Sequence, residues 1–303
     1  MPGTPLKLGP FVGGLNIASD GTAIAENELT ECNNMSLDLD GSLVCRPPIV
    51  GIAGDETWAT RIIMIGKANI AGVNYIFGSN SSGVYAFNGT IWTLVKADLF
   101  AAHAIQVHGL VFFIASPLST VDGGFWDGTT FTTDAAMPRG SKAEYYKGRL
   151  FVVPGKDQTG PAAFQLKFTD PISILAPTPL TWNPINLVPV GQGDGQPLMD
   201  LVIDSDNLML FKTDSTYVFA FDIQPADAIL RKINNNIGVS GPNCLVSWEN
   251  SVFVLHEDAV YIVENFQFVQ TNLKVPFRNR NIYGSGSLIA KFFLTNVGDY
   301  IIC

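Results

Sequence analysis

The chain predicts an all-β protein: a β-propeller-like array of four-stranded antiparallel blades with an extended N-terminal arm. Three observations carry this expectation. Five segments repeat one design, an apolar run, a turn and then aromatic residues, beginning at Asn74, Leu110, Arg149, Asn207 and Ser251. The spacing is nearly regular: Tyr85 and Trp126 lie 41 residues apart and Tyr217 and Tyr261 lie 44 apart. The 91 residues from Trp126 to Tyr217 hold two periods and a short insertion. A four-stranded blade takes roughly 40–50 residues; a long antiparallel sandwich also spaces its hairpins evenly and is the alternative. Finally, 29 Gly and 18 Pro alongside 20 Phe give many turns between short, aromatic-rich strands.

In chain order, residues 1–57 read as the arm and residues 58–303 as the propeller-like domain. The arm is rich in Gly, Asn and Asp and weak in periodicity. In the first blade RIIMIGKA reads as the inner strand, VNYIFGSN as the second, GVYAFNG as the third and TIWTLVKA as the fourth. FNGTIW and WDGTTF share one device, an Asn-Gly or Asp-Gly turn followed by an aromatic. Such dipeptides favour two-residue hairpin turns. Trp92 and Phe131 thereby take matching slots, and with Trp126, Tyr217 and Tyr261 they are the expected blade-packing aromatics. Helical spacing is scarce; the best short candidates are Lys96–Ala104 and Gln224–Leu230. SLIAKFFLTNVGDYIIC reads as two strands of a further blade. Closing the ring then calls on the arm, another subunit or a longer natural chain.

Composition narrows the function. The chain has 303 residues, 47% of them hydrophobic and 15% charged, enough for a large core or several packed sheets. Net charge is −9, the wrong sign for gripping nucleic acid through its phosphates. It suits a surface past which DNA slides without sticking, and also an ordinary soluble protein, the more common case. Cys32, Cys45, Cys244 and Cys303 form no CxxC pair, so no zinc spacing is present. Without a secretory leader, free buried cysteines are expected, although Cys32 and Cys45 are close enough in sequence to bridge. No apolar stretch approaches the roughly 20 residues of a membrane span, and the chain reads as a soluble, cytosolically made protein.

Candidate sites are few. His103, His108 and His256 fall at different points of the repeat and outside any HxxxH or HExxH pattern, so rim or buried histidines are expected. Asp38 and Asp40, Asp194, and Asp204 with Asp206 and Asn207 are oxygen clusters on turns. None is followed by the glutamate that closes an EF-hand, and turn chemistry accounts for them. The GSGS around Ser285 is not a strand–helix nucleophile elbow. Gly191, Gly193 and Gly195 form a GxGxG with no helix after it to receive a phosphate. Lys274, Arg278 and Arg280 make a small basic patch that reads as a solvated loop. No metal, cofactor or catalytic residue is expected.

The arm carries the most specific signal. Gly13, Gly14, Leu15 and Asn16, then Glu28 and Leu29, then Asn33 and Asn34, then Gly41, Leu43, Arg46 and Pro47 follow one another in order. That order resembles the opening of the tail nozzle, or tail tubular protein B, family of short-tailed bacteriophages. Downstream, Tyr145–Val153, Thr181–Phe219 and Ile237–Val263 are similar to blocks of that group and of related phage tail β-propellers. The resemblance spans most of the chain, which is shorter than many nozzle proteins. It implies a structural virion protein rather than an enzyme. Copies, six expected, would form a ring below portal and adaptor that retains the genome and conducts DNA during ejection. It further implies assembly in the host cytoplasm, residence in the virion tail, and no membrane insertion by this chain. Gly13, Gly14, Leu15, Asn16, Asn33, Asn34, Arg46 and Pro47 would dock a neighbouring subunit or the adaptor. The alternatives are a receptor- or glycan-binding propeller at the tail tip and a polysaccharide-degrading propeller enzyme, which needs carboxylates converging at the ring centre.

Overall fold

The computed structural model describes residues 64–271, apart from Lys156, Ala176, Pro179, Ile223, Glu249, Asn250 and Asp258, together with six short strands nearer the ends of the chain. The chain divides into two compact units, Met1–Ala53 and Gly54–Cys303. In the first, β1 (Gly14–Leu15) pairs in parallel with β2 (Glu28–Leu29), and β3 (Met35–Leu37) pairs antiparallel with β4 (Leu43–Cys45).

The second unit is built of five four-stranded antiparallel sheets, each a simple meander. Blade 1 holds β5 (Met64–Ile70), β6 (Val73–Asn80), β7 (Gly83–Phe87) and β8 (Trp92–Ala97). Blade 2 holds β9 (Ala101–Val107), β10 (Leu110–Ala115), β11 (Gly124–Trp126) and β12 (Phe131–Thr133). Blade 3 holds β13 (Lys142–Tyr146), β14 (Arg149–Val153), β15 (Gln165–Phe168) and β16 (Leu187–Pro189). Blade 4 holds β17 (Asp200–Asp204), β18 (Asn207–Phe211), β19 (Thr216–Ala220) and β20 (Ile229–Asn234). Blade 5 holds β21 (Leu245–Trp248), β22 (Ser251–Leu255), β23 (Val260–Glu264) and β24 (Gln267–Gln270). The hairpin of β25 (Thr295–Val297) and β26 (Tyr300–Ile302) follows. The first strands stand side by side in succession: β5 beside β9, β9 beside β13, then β17, β21 and β25. That succession and the meander within each sheet are the β-propeller arrangement.

The core is segmented, one cluster between each pair of neighbouring blades. This explains why the second strands are apolar without alternation. Along β10, Val111, Phe113 and Ala115 pack toward blade 1, while Phe112 and Ile114 pack toward blade 3. Along β14, Leu150 and Val152 face blade 2, and Phe151 and Val153 face blade 4. A strand covered on both faces needs an apolar residue at every position.

The turns refine the expectation from sequence. The hairpin between first and second strands is the two-residue one, at Ala71-Gly72, His108-Gly109, Lys147-Gly148 and Ser205-Asp206, all with positive φ. Those angles are the ones that match strand twist in such a loop. FNGTIW and WDGTTF instead hold four residues between the pairs Phe87–Trp92 and Trp126–Phe131. There only Gly89 and Gly128 have positive φ, and the Asn88 and Asp127 side chains accept hydrogen bonds from the N–H groups two and three residues on. The side chain serves as an Asx turn, so the dipeptide does not mark a two-residue loop here.

Neither helical candidate forms. Lys96–Ala104 is the end of β8 and the start of β9, with Leu99 and Ala101 fully buried. Burial between blades overrides the helix preference of its alanines. Within Gln224–Leu230, Pro225–Asp227 makes one 3-10 turn before β20 begins.

Candidate functional site

Polar side chains at the starts of the first strands link blades 2 to 5. Lys142 opens β13 and Asp200 opens β17; their side chains pair at 3.1 Å with the Asp200 carboxylate wholly buried. Asp200 also accepts from the Leu201 N–H at 2.8 Å and, across to blade 5, from the Cys244 N–H at 3.2 Å. On the other side, His103 of β9 uses Nδ1 to accept from the Ala143 N–H of β13 at 3.3 Å. Ser141 donates to the Met199 carbonyl at 2.9 Å. Blades 1 and 2 are joined in the same way, the Ala101 N–H donating to Ser79 Oγ at 3.0 Å.

The electrostatics follow from burial. Desolvation, with the nearby Lys142 ammonium, drives His103 down to about 3, so its imidazole is neutral with the proton on Nε2. Burial opposes the charge on Lys142, but Asp200 and Glu144 outweigh it and hold the ammonium above its ordinary value. Burial pushes Asp200 up against the pull of Lys142 and its two backbone donors. Glu144 is also raised, chiefly by burial. His103, Lys142 and Asp200 each thus answer a neighbour on another blade, as buried polar groups must. This is bracing chemistry: a neutral imidazole that accepts from backbone is not poised as a base, and the ion pair is internally satisfied.

The remaining candidates from sequence are placed as follows. His108 sits on the first turn of blade 2, its Nε2 2.8 Å from the Tyr145 hydroxyl of blade 3. His256 lies edge-on to Tyr261, ring centroids 6.0 Å apart. Asp194 is captured by Lys212, whose Nζ is fully buried 2.8 and 2.9 Å from its two oxygens. The GxGxG is therefore the backbone of a lock: Gly191 has positive φ, a Cβ there would meet the Tyr217 hydroxyl, and its carbonyl accepts from Lys212. Asp206 pairs with Lys147 at 3.1 Å, Asp204 accepts from Ser205, and Asn207 donates to the Ser205 carbonyl. No group of metal-ligating side chains occurs among the described residues.

Of the packing aromatics, Trp126 of blade 2 sits edge-on to Tyr75 and Phe77 of blade 1 at 5.0 and 5.7 Å. Phe131 joins the same cluster, beneath Lys96. Tyr217 is in the blade 3–4 core and Tyr261 in the blade 4–5 core. Trp92 lies tilted against Phe87 of its own blade, ring centroids 5.2 Å apart. Of the arm residues, Gly14 and Leu15 form β1; Gly13, Asn16, Asn33, Asn34, Arg46 and Pro47 lie outside the described residues, as do Asp38, Asp40, Lys274, Arg278, Arg280 and Ser285. Sequence reasoning missed the Lys142–Asp200 bridge; its only signal was a charged residue opening each of two apolar strands.

Fold and site together define a propeller-type protein braced by inter-blade polar links. No protein-family model and no curated protein matches the chain. Among solved structures it is similar to a fungal alcohol oxidase of the AA5 family (14% identity over 69% of this chain and 53% of that one, TM-score 0.46). It is similar to PorZ of the Porphyromonas gingivalis type-IX secretion system (14% identity, 70% of this chain and 27% of that one, TM-score 0.46). A third is the Neurospora crassa Pan2 WD40 domain (9% identity, 74% of this chain and 83% of that one, TM-score 0.36). The chain spans 53% of the oxidase and 27% of PorZ.

Proposed function

We propose that this protein is a structural component of a bacteriophage tail, a nozzle or ring subunit that retains the genome and conducts DNA during ejection. The ordered arm motifs from Gly13 to Pro47 support the phage assignment by resemblance. The observation that carries a role in assembly is the presence of two exposed apolar surfaces among the described residues. On blade 1, Ile65, Ile76 and Leu94 share the sheet face turned away from blade 2 and are exposed. On blade 3, Ile174, Leu175 and Ile185 are 74%, 96% and 79% exposed on the connection between β15 and β16. That connection is anchored at its base by Asp170–Thr181, Trp182–Asp134 and Asn186–Asp170 hydrogen bonds, so it presents the apolar residues rather than burying them. Two different apolar patches suit a head-to-tail ring, in which one surface of each subunit meets another surface of the next. The inter-blade polar bracing suits a part that must resist mechanical strain.

The test is a symmetry-resolved electron-microscopy reconstruction of virions with this protein located in the density. Copies ringing an axial channel below the portal are expected. Density only at a peripheral fibre or tip would sink the nozzle reading and favour receptor or glycan binding.

A further inference from the structure

Blade 3 breaks the repeat at one place. In blades 2, 4 and 5 the third strand turns bulky side chains toward the preceding blade: Trp126 from β11, Tyr217 and Phe219 from β19, Tyr261 and Val263 from β23. In β15 the corresponding face carries Gln165 and Lys167. Lys167 pairs in register with Val152, which faces blade 2, while Leu166 and Phe168 point the other way into the blade 3–4 core. A cavity of about 190 Å³ lies there, lined by Gln165, Lys167 and Gln158, with Arg139, Pro138 and Pro154 forming much of the remaining wall.

The chemistry of the lining selects a ligand. Arg139 is already committed, to Asp122 at 2.9 Å and to the Ser119 carbonyl. Lys167 has no carboxylate partner among the described residues, and the carboxamides of Gln158 and Gln165 have no hydrogen-bond partner there. One ammonium without a carboxylate partner among the described residues and two carboxamide-bearing side chains therefore line the cavity beside two prolines. Donors lining a cavity suit an acceptor, and the one cation there without a carboxylate among the described residues suits a single negative charge. We propose that this cavity binds a small organic carboxylate, its oxygens on Lys167, Gln158 and Gln165 and its carbon body against Pro138 and Pro154. The source is a free monocarboxylic acid or a glutamate side chain on a protein loop. A local rule broken in one blade of the four that have a described preceding blade, with a cavity left behind, marks a functional position better than a packing fault.

The full chain is titrated by heteronuclear NMR with butyrate, with an acetylated and amidated Ala-Glu-Ala peptide, and with the uncharged isostere butyramide. Butyrate or the peptide should shift the side-chain amide signals of Gln158 and Gln165 while butyramide leaves them in place. Shifts with both acids show that a free acid suffices; shifts with the peptide alone identify a protein loop as the source. Lys167→Met should weaken binding about tenfold or more, the loss of one charged hydrogen bond. Lys167→Tyr places an aromatic at the register position that Tyr217 and Tyr261 hold in blades 4 and 5; it should abolish binding and leave the protein folded, with an unchanged or higher melting temperature. Equal shifts with butyramide, no shift with either acid, or wild-type affinity in Lys167→Met overturns the proposal.

Discussion

Removing the Asp200 carboxylate strands the buried Lys142 ammonium and leaves the Cys244 N–H unanswered. Asp200→Ala is expected to cost about 3–5 kcal/mol in urea unfolding, and Lys142→Met with Asp200→Leu to recover most of it, because an apolar pair needs no desolvation. A loss under about 1 kcal/mol would mean the bridge is not buried in solution. His103 adds a pH dependence. Its folded value of about 3 lies below the ordinary 6.5, so between those values the unfolded chain binds a proton that the folded chain does not. Stability contributed by His103 is therefore lost as pH falls through that window, at about 1.4 kcal/mol per pH unit. Asp200 and Glu144, both raised, act in the opposite sense, since their folded carboxyls take up protons first. His103→Asn keeps an acceptor for the Ala143 N–H and removes the titration. The wild type should lose stability relative to this variant from pH 6.5 to 4; parallel profiles would refute a buried neutral imidazole.

At the scale of strands and turns, much was legible beforehand. The four strands of blade 1 fall where its apolar runs and turns placed them, because alternation and turn chemistry act locally. The turn type was less legible: Asn-Gly and Asp-Gly occur in two-residue and Asx-capped loops alike, and register with the partner strand decides between them. Gly83 shows how register also fixes composition. It has φ +146°, and a Cβ there would strike the Lys96 carbonyl oxygen on the neighbouring strand. Gly83→Ala should cost about 2 kcal/mol or more by thermal or chemical unfolding. Gly72→Ala, with positive φ but open space around it, should cost only about 1 kcal/mol, the backbone penalty alone. Equal costs at the two sites would place the clash elsewhere.

Among the described residues every apolar cluster is shared by two blades, so none of these blades owns a core. Phe113→Ala, in the blade 1–2 cluster, should lower stability by about 3–5 kcal/mol. Because neighbours share cores and polar links, the loss should appear in calorimetry as one transition moved to lower temperature, not as a separate early shoulder. A resolved early transition would show that blades 1 and 2 unfold independently of the rest.

The sequence by itself determined that the chain is built of repeated β blades, where the strands of blade 1 lie, and that Trp126, Phe131, Tyr217 and Tyr261 are packing residues. Those properties depend on period, turn residues and side-chain bulk, which are local. Only the tertiary structure decided that His103, Lys142, Asp200 and the Cys244 backbone form one inter-blade chain, that Asp194 belongs to Lys212, and that the third strand of blade 3 leaves a polar cavity where its neighbours place aromatics. The partners in each case lie 18 to 58 residues apart and meet through blade-to-blade register, which no single strand encodes.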